Sequence, residues 1–408
     1  MKKPTAPLPI QGSDVRGLSR LAVDATVGVT DLVEAVHRTI ASTVGLKGDA
    51  SAGRTKGLTG AVYRAVRGTT RVVGRGLDAA LALVPAAPAE GPPSPQREAV
   101  IAALNGVWGD HLAETGNPLA IPMRWRVAAR AVADPAAATP QPSGKLLVLV
   151  HGLCMNDLQW ARQGHDHGQA LAQALGCTPI YLHYNSGRHV SENGRELAAL
   201  MEPLVANWPV PVQDLVILTH SMGGLVARSA CWQAAQEGQR WLASLRSLVF
   251  LGTPHHGAPL ERGGRWIDTL LELSPFVAPF ARLGKARSAG ITDLRFGNVQ
   301  DADWQGRDRH TQTTDDRRST PLPAGVRVFA VAATRAERSN RIHSQLLGDG
   351  LVPVTSALGE HANPALDLHL PPEQQCVVTH CDHWGLLNHP KVTAQLRNWL
   401  QAPTASPP

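Results

Sequence analysis

LTHSMGGLVAR, Leu218 to Arg228, sets a single serine, Ser221, between a strand-like run and a helix-like one. Before it, Asp214 to His220 (DLVILTH) is a short series of Leu, Val and Ile that reads as a strand buried on both faces, as in a parallel sheet. After it, Gly223 and Gly224 lead into LVARSACWQAAQ, whose apolar residues recur at helical spacing. The chain must reverse from strand to helix within a few residues, which strains the backbone at Ser221 and pushes its hydroxyl outward. That is the geometry of a nucleophile elbow, usually written Gly-x-Ser-x-Gly. Thr219 holds the place of the first glycine and Gly223 that of the second. A serine that only caps a helix needs no partners elsewhere in the chain; a nucleophile needs two.

Both partners follow in chain order. A serine hydroxyl is a poor nucleophile at neutral pH, so it requires a base and an acid that orients the base. GDGLVPVTSALG (Gly348 to Gly359) places Asp349 in a glycine-flanked turn, and THCDHWGLLNHP (Thr379 to Pro390) places His383 in a loop after a last strand. His380 and His389 compete with His383, but the first belongs to the strand end and the second to the start of a final helix. Asp382 competes with Asp349, but neighbouring side chains in an extended segment point apart, so it is poorly placed to support His383. An oxyanion needs donors as well. VLVHGLCMND (Val148 to Asp157) ends a strand in His-Gly-x, which assigns the oxyanion hole to the backbone N–H groups of Leu153 and Met222. His151 and Cys154 read as structural.

Outside this set the chain divides by pattern. Residues 14 to 42 form a long amphipathic series, and after a Gly-, Ala- and Ser-rich gap a second series runs from Leu58 to Val84, so the pair reads as an N-terminal helical hairpin. The proline-rich VPAAPAEGPPSP closes a first region of residues 1–95. Residues 96–408 then carry the chemistry. From about residue 122 strands alternate with helices, which predicts a mostly parallel sheet with helices on both faces. Gly257 to Gly325 is too long for a simple crossover. Its RWIDTLLELSPFVAPFARLG, with Trp266, Ile267, Leu270, Leu271, Phe276 and Phe280, reads as an inserted cap, followed by the polar loop RDRHTQTTDDRRSTP.

Composition excludes several classes. The chain has 408 residues, 43% of them hydrophobic, which suffices for a large core. Its net charge of +6 is local: Arg54, Lys56, Arg64, Arg67, Arg71 and Arg75 face only Asp78, so that segment alone carries +5. No nucleic-acid-binding signature accompanies it. The five cysteines are few and odd in number, against a disulfide framework. CVVTHCDH brings Cys and His together, yet strand alternation separates them and the spacing fits no zinc pattern, so no metal is expected. With no apolar run of 18 residues and no signal sequence, the expected location is cytoplasmic, peripheral at a surface if the basic second helix docks on an anionic membrane or polymer granule.

Taken together, VLVHGLCMND, LTHSMGGLVAR, FLGTPHHGAPLER, GDGLVPVTSALG and CDHWGLLNHPKVTAQLRNWL resemble the lipase and esterase branch of the α/β-hydrolases. Within it the chain is most similar to bacterial proteins like the catalytic domain of GPI inositol-deacylases, over residues 122 to 401. The resemblance implies an α/β-hydrolase fold, a triad of Ser221, Asp349 and His383, and a cap beginning at the GTPHHG turn (Gly252 to Gly257). Trp384 and Gly385 follow His383 where calcium-dependent bacterial lipases place an aspartate, so no calcium site of that kind is expected. The expected activity is cofactor-free hydrolysis of a lipophilic acyl ester through an acyl-serine. An acyltransferase or thioesterase uses the same groups, and a binding protein on a hydrolase fold would have no use for all three.

Overall fold

The computed structural model describes residues 11–43, 57–82, 94–257, 288–307, 315–336 and 348–401. The gap after the first helix, nearly all of the proline-rich linker, the apolar cap set from Trp266 to Phe280 and the middle of the polar loop lie outside the described residues. The chain divides into two compact units, Met1–Gly91 with Thr115–Leu119, and Pro92–Glu114 with Ala120–Pro408.

In the larger unit eight strands form one sheet among the described residues. They are β1 (Arg124–Val127), β2 (Arg130–Val132), β3 (Lys145–Val150), β4 (Thr178–His183), β5 (Asp214–His220), β6 (Leu245–Leu251), β7 (Arg327–Thr334) and β8 (Gln375–Thr379). Their spatial order is β2-β1-β4-β3-β5-β6-β7-β8. From β4 to β8 neighbours run parallel, whereas β1 is antiparallel to both β4 and β2. Leu146 to Val150 are each at most 1% exposed, so side chains pointing to either face of β3 are covered. The cover is helical: α5 (Val190–Ala206) packs on α6 (Gly223–Glu237), and the C-terminal helix Pro390–Gln401 packs on α4 (His167–Leu175).

Two elements have no clear mark in the sequence. β2 arises because the chain reverses at Ala128 and Ala129, with φ of 46° and 64°, the mirror-image hairpin turn that Asn-Gly or Asp-Gly normally announces. The helix α3 (Pro95–Glu114) buries Ala102 to Val107 without interruption, together with Gly109 and Leu112. A helix enclosed on all sides carries no alternation of polar and apolar faces for a reader to find.

The smaller unit is the hairpin of α1 (Gly12–Thr43) and α2 (Gly57–Ala82), with the 115–119 turn fastened to α1 by Asn117, whose side-chain amide donates to the Gly17 carbonyl at 3.1 Å. Its packing inverts the expected one. Gly60, Arg67 and Gly74 of α2, seven apart, are the buried positions; a Cβ on Gly74 would come within 2.7 Å of the Val23 side chain. Arg67, at 2% exposure, is held by Asp31 and Glu34, and Arg16 and Arg20 both bind Asp78. Arginines 64, 67, 71 and 75 therefore do not form one solvent-facing stripe: Arg67 turns inward while Arg64, Arg71 and Arg75 stay exposed. The helices approach where glycine removes the side chain, and the acidic residues of α1 draw Arg67 into that contact. The apolar residues Val62, Val66, Val72, Val73 and Leu77 are left outside, 42–67% exposed.

In the larger unit the α5–α6 contact depends on another glycine. A Cβ at Gly194 would stand 2.4 Å from Ser229 Cβ and 3.0 Å from the Ala230 nitrogen. Gly194→Val should lower stability by about 1–3 kcal/mol through overpacking, read as a fall in the urea midpoint with unchanged slope.

Candidate active site

The turn after β5 is as tight as its sequence demands. Ser221 has φ of 54°, a left-handed conformation uncommon for a residue with a Cβ. Its N–H donates to the Leu251 carbonyl at the end of β6 at 2.8 Å, and its carbonyl accepts from Gly224 N–H at 3.1 Å. Any side chain at 223 would collide with β3, since a Cβ there would lie 2.4 Å from the Val150 oxygen and 2.6 Å from that of His151. Thr219, in place of the usual glycine, is accommodated because its hydroxyl donates to the Val249 carbonyl at 2.9 Å.

His383 and Asp349 meet at the same end of the sheet. His383 Nδ1 lies 2.7 Å from Asp349 Oδ2, and both residues are buried. The other Asp349 oxygen accepts the N–H groups of Leu351 (2.9 Å) and Val352 (2.8 Å), which fixes the carboxylate from its own turn. With a carboxylate on Nδ1–H, the imidazole lone pair is left on Nε2. The β6 end adjoins the same ring: Gly252, at φ of 60°, would carry a Cβ 3.1 Å from His383 Cε1. Among the described residues no hydrogen bond joins Ser221 Oγ to His383, an arrangement that tightens in many hydrolases only when substrate is bound.

Leu153 belongs to the turn after β3 and Met222 directly follows Ser221. Gly152 approaches so closely that a Cβ on it would be 2.9 Å from Ser221 Cβ, which brings the Gly152–Leu153 turn against the serine. Both Leu153 and Met222 are buried, and among the described residues neither N–H has a hydrogen-bond acceptor. Buried main-chain donors are rarely left so. The turn is held by the next residue, Cys154, whose N–H donates to Ser186 Oγ at 3.0 Å.

The rejected candidates have other partners. Asp382 Oδ1 accepts from Gly385 N–H at 2.7 Å, and His389 Nδ1 accepts from Lys391 N–H at 3.2 Å. His380 is an exposed residue in the bend after β8, not the half-buried strand residue that the sequence suggests. Burial pushes the Cys154 thiol up to about 12, which disqualifies it as a nucleophile. Among the described residues no cluster of three or more His, Cys, Asp or Glu is arranged to hold a metal ion.

His220 is the site residue that sequence reasoning missed. Its Nε2 lies 3.1 Å from the His383 carbonyl, and its ring sits 4.7 Å from that of His383 and 5.7 Å from that of Trp384. As the residue before the serine it was read only as the end of an apolar strand. No local motif links positions 220 and 383.

A mostly parallel sheet covered by helices, with a serine elbow at the C-terminal end of a central strand, is the α/β-hydrolase fold. A family model described as a domain of unknown function (DUF7379) matches residues 117–292. No curated protein matches the chain in sequence. Among solved structures the chain is similar to the mature form of the lipase BlEst2 of Bacillus licheniformis, at 18% identity and a TM-score of 0.40, over 65% of this chain and 95% of that one. Lipase B of Aspergillus fumigatus is similar at 12% identity and 0.40, over 65% of this chain and 56% of that one. The Pyrococcus furiosus esterase Pf2001 is similar at 15% identity and 0.38, over 64% and 83%. At these identities the likeness is one of architecture, and no substrate carries across it.

Burial makes the larger unit sensitive to acid. It depresses His151 to about 3, His167 to about 4 and His183 to about 2, and it holds His220 and His255 well below 6.5. Each titrates near 6.5 in the unfolded chain, so the stability that comes from keeping it neutral is fully present above that value. It is lost as pH falls toward the folded value, at about 1.4 kcal/mol per pH unit for each histidine. The urea midpoint should fall steeply from about pH 7 to about pH 4.5; a midpoint that stayed level across that range would contradict the burial of these rings.

Proposed function

We propose that the chain is a serine ester hydrolase acting on a lipophilic acyl ester. The observation that carries this reading is the buried 2.7 Å contact of His383 with Asp349 at the sheet end where Ser221 takes its left-handed turn. Ser221 Oγ attacks the ester carbonyl as His383 Nε2 accepts its proton. The carbonyl oxygen gathers charge between the N–H groups of Leu153 and Met222, which need no reorganisation to receive it. Collapse expels the alcohol, protonated by His383, and leaves an acyl-serine; water, deprotonated by the same imidazole, then releases the acid. Asp349 holds the ring in the tautomer that both steps use.

Ser221→Ala should abolish hydrolysis of a p-nitrophenyl ester series while leaving the circular dichroism spectrum unchanged, and a fluorophosphonate should label Ser221 alone. Asp349→Asn should lower kcat by roughly 10³–10⁴-fold through the wrong tautomer. His383→Ala should cost far more than His380→Ala or His389→Ala. Undiminished turnover in folded Ser221→Ala protein would refute the mechanism.

The hairpin supplies a route to such a substrate: an anionic membrane surface. No helix among the described residues is long and apolar enough to cross a bilayer. A cluster of cations on one helix face can dock on such a surface without crossing it. On α2, Arg64, Arg71 and Arg75 are exposed together on one side, nearly opposite Val62, Val66, Val73 and Leu77, and each arginine is worth about 1 kcal/mol near anionic lipid. The full chain should sediment with phosphatidylserine vesicles at low salt and lose that binding when Arg64 and Arg71 are both changed to Glu. Failure to sediment at any ionic strength would leave the hairpin a structural element.

A further inference from the structure

Beyond β6 the chain turns through Thr253, Pro254, His255 and His256, and beside this turn lies a cavity of about 110 Å³ walled by Arg228, His255, Asp303, Arg317, Arg318 and Thr320 among others. A single water needs only about 10–15 Å³ by the same measure. Arg228, from the second turn of α6, is 7% exposed. Its terminal nitrogens reach the Thr320 carbonyl at 3.0 Å and His255 Nδ1 at 3.3 Å, and among the described residues no carboxylate forms an ion pair with it. Its Nε–H is buried without a partner. Because His255 Nδ1 accepts from Arg228, the ring proton sits on Nε2, which is also buried and unpartnered.

The neighbouring charges are already committed. Arg317 is bound by Asp315 at 2.7 Å and by the carbonyls of His255 and Gly297. Asp303 spends one oxygen on the N–H groups of Val299 and Gln300 and the other on that of Arg318, and Asp367, also on the wall, accepts the N–H groups of His361 and His369. A guanidinium cannot shed its charge to escape burial as a lysine can, so an enclosed one without a carboxylate is costly unless an anion or several acceptors reach it. Arg228 and His255, each with an orphan N–H donor, and the exposed Arg318 line one small cavity, a set matched by a group with several oxygens.

We infer that this cavity binds a phosphate group. Two sources share that chemistry, a phospholipid headgroup and the free ion. Arg228 follows Ser221 by seven residues, about 10 Å along a helix axis, a separation that one phospholipid molecule spans with its ester at the serine and its phosphate in the cavity. This arm rests on the ester-hydrolase reading; phosphate binding itself does not.

Titration calorimetry with inorganic phosphate on the full-length Ser221→Ala protein tests the site apart from any catalysis. Phosphate should bind, and Arg228→Gln in the same background should weaken it by about tenfold or more. Should circular dichroism show Arg228→Gln unfolded, Arg318→Gln replaces it, with a loss of about twofold to fivefold. With Ser221 intact, the ratio of kcat/KM for a phosphatidyl ester over the diacylglycerol of the same chains separates the sources. A ratio that drops with the phosphate affinity identifies the headgroup. A ratio that holds while phosphate binding weakens identifies the free ion. Absence of phosphate binding to the parent protein at millimolar concentration, or equal binding by a folded Arg228→Gln protein, overturns the inference.

Discussion

The chain reversal at Ser221 is the constraint on which the rest of the site depends. The serine is in a left-handed conformation because β5 must end and α6 must begin with almost no loop between them. Such strain costs of order 1–3 kcal/mol and persists only where the surroundings over-determine it. Here they do so from three sides. Leu251 accepts the serine N–H, Gly223 lets the start of α6 press against the carbonyls that end β3, and Gly224 lets it press against Thr253. The same closeness brings the Gly152 turn beside the serine, where among the described residues the N–H groups of Leu153 and Met222 have no acceptor. The strained serine turn and the placement of these two donors are results of one packing problem.

Much of this was legible in the sequence because the signals are local. A buried parallel strand announces itself by a run of Leu, Val and Ile, and the two runs read that way, DLVILTH and the one that ends in VLVHG, are β5 and β3 here. Asp349 and His383 could be chosen because a glycine-flanked turn and a loop after the last strand are recognisable places. What escaped is nonlocal or unpatterned. α3 has no polar face, β2 hangs on an Ala-Ala turn, and the role of His220 exists only because the His383 carbonyl folds back onto it.

The hairpin shows how periodicity can locate a helix and misjudge its inner face. The apolar spacing in α2 is real, but hydrophobic residues turn inward only when no closer fit competes. Gly60 and Gly74 offer that fit, and the acidic residues of α1 supply the partners that let Arg67 join it. Polar and glycine positions therefore became the seam and the valines the surface. Exposed valines in such number mark an interaction surface more often than an accident.

Burial also decides which histidine near Ser221 is fit to act as a base. His151, His220 and His383 are all buried around the elbow. His151 stacks on Tyr184 at 4.3 Å and His220 lies against the rings of Trp160, His383 and Trp384; desolvation drives both toward the neutral form, and among the described residues neither has a carboxylate within bonding distance. An imidazole that must accept a proton in an apolar site needs a counter-charge for the cation that results. Among the three, His383 alone has one, in Asp349, whose other oxygen is tied to its own turn so that the carboxylate cannot swing away. In the proposed mechanism His220, neutral and hydrogen-bonded to the His383 carbonyl, serves as a fixed strut and not as a second base, because a charged ring 4.7 Å from His383 would oppose the proton that His383 would take.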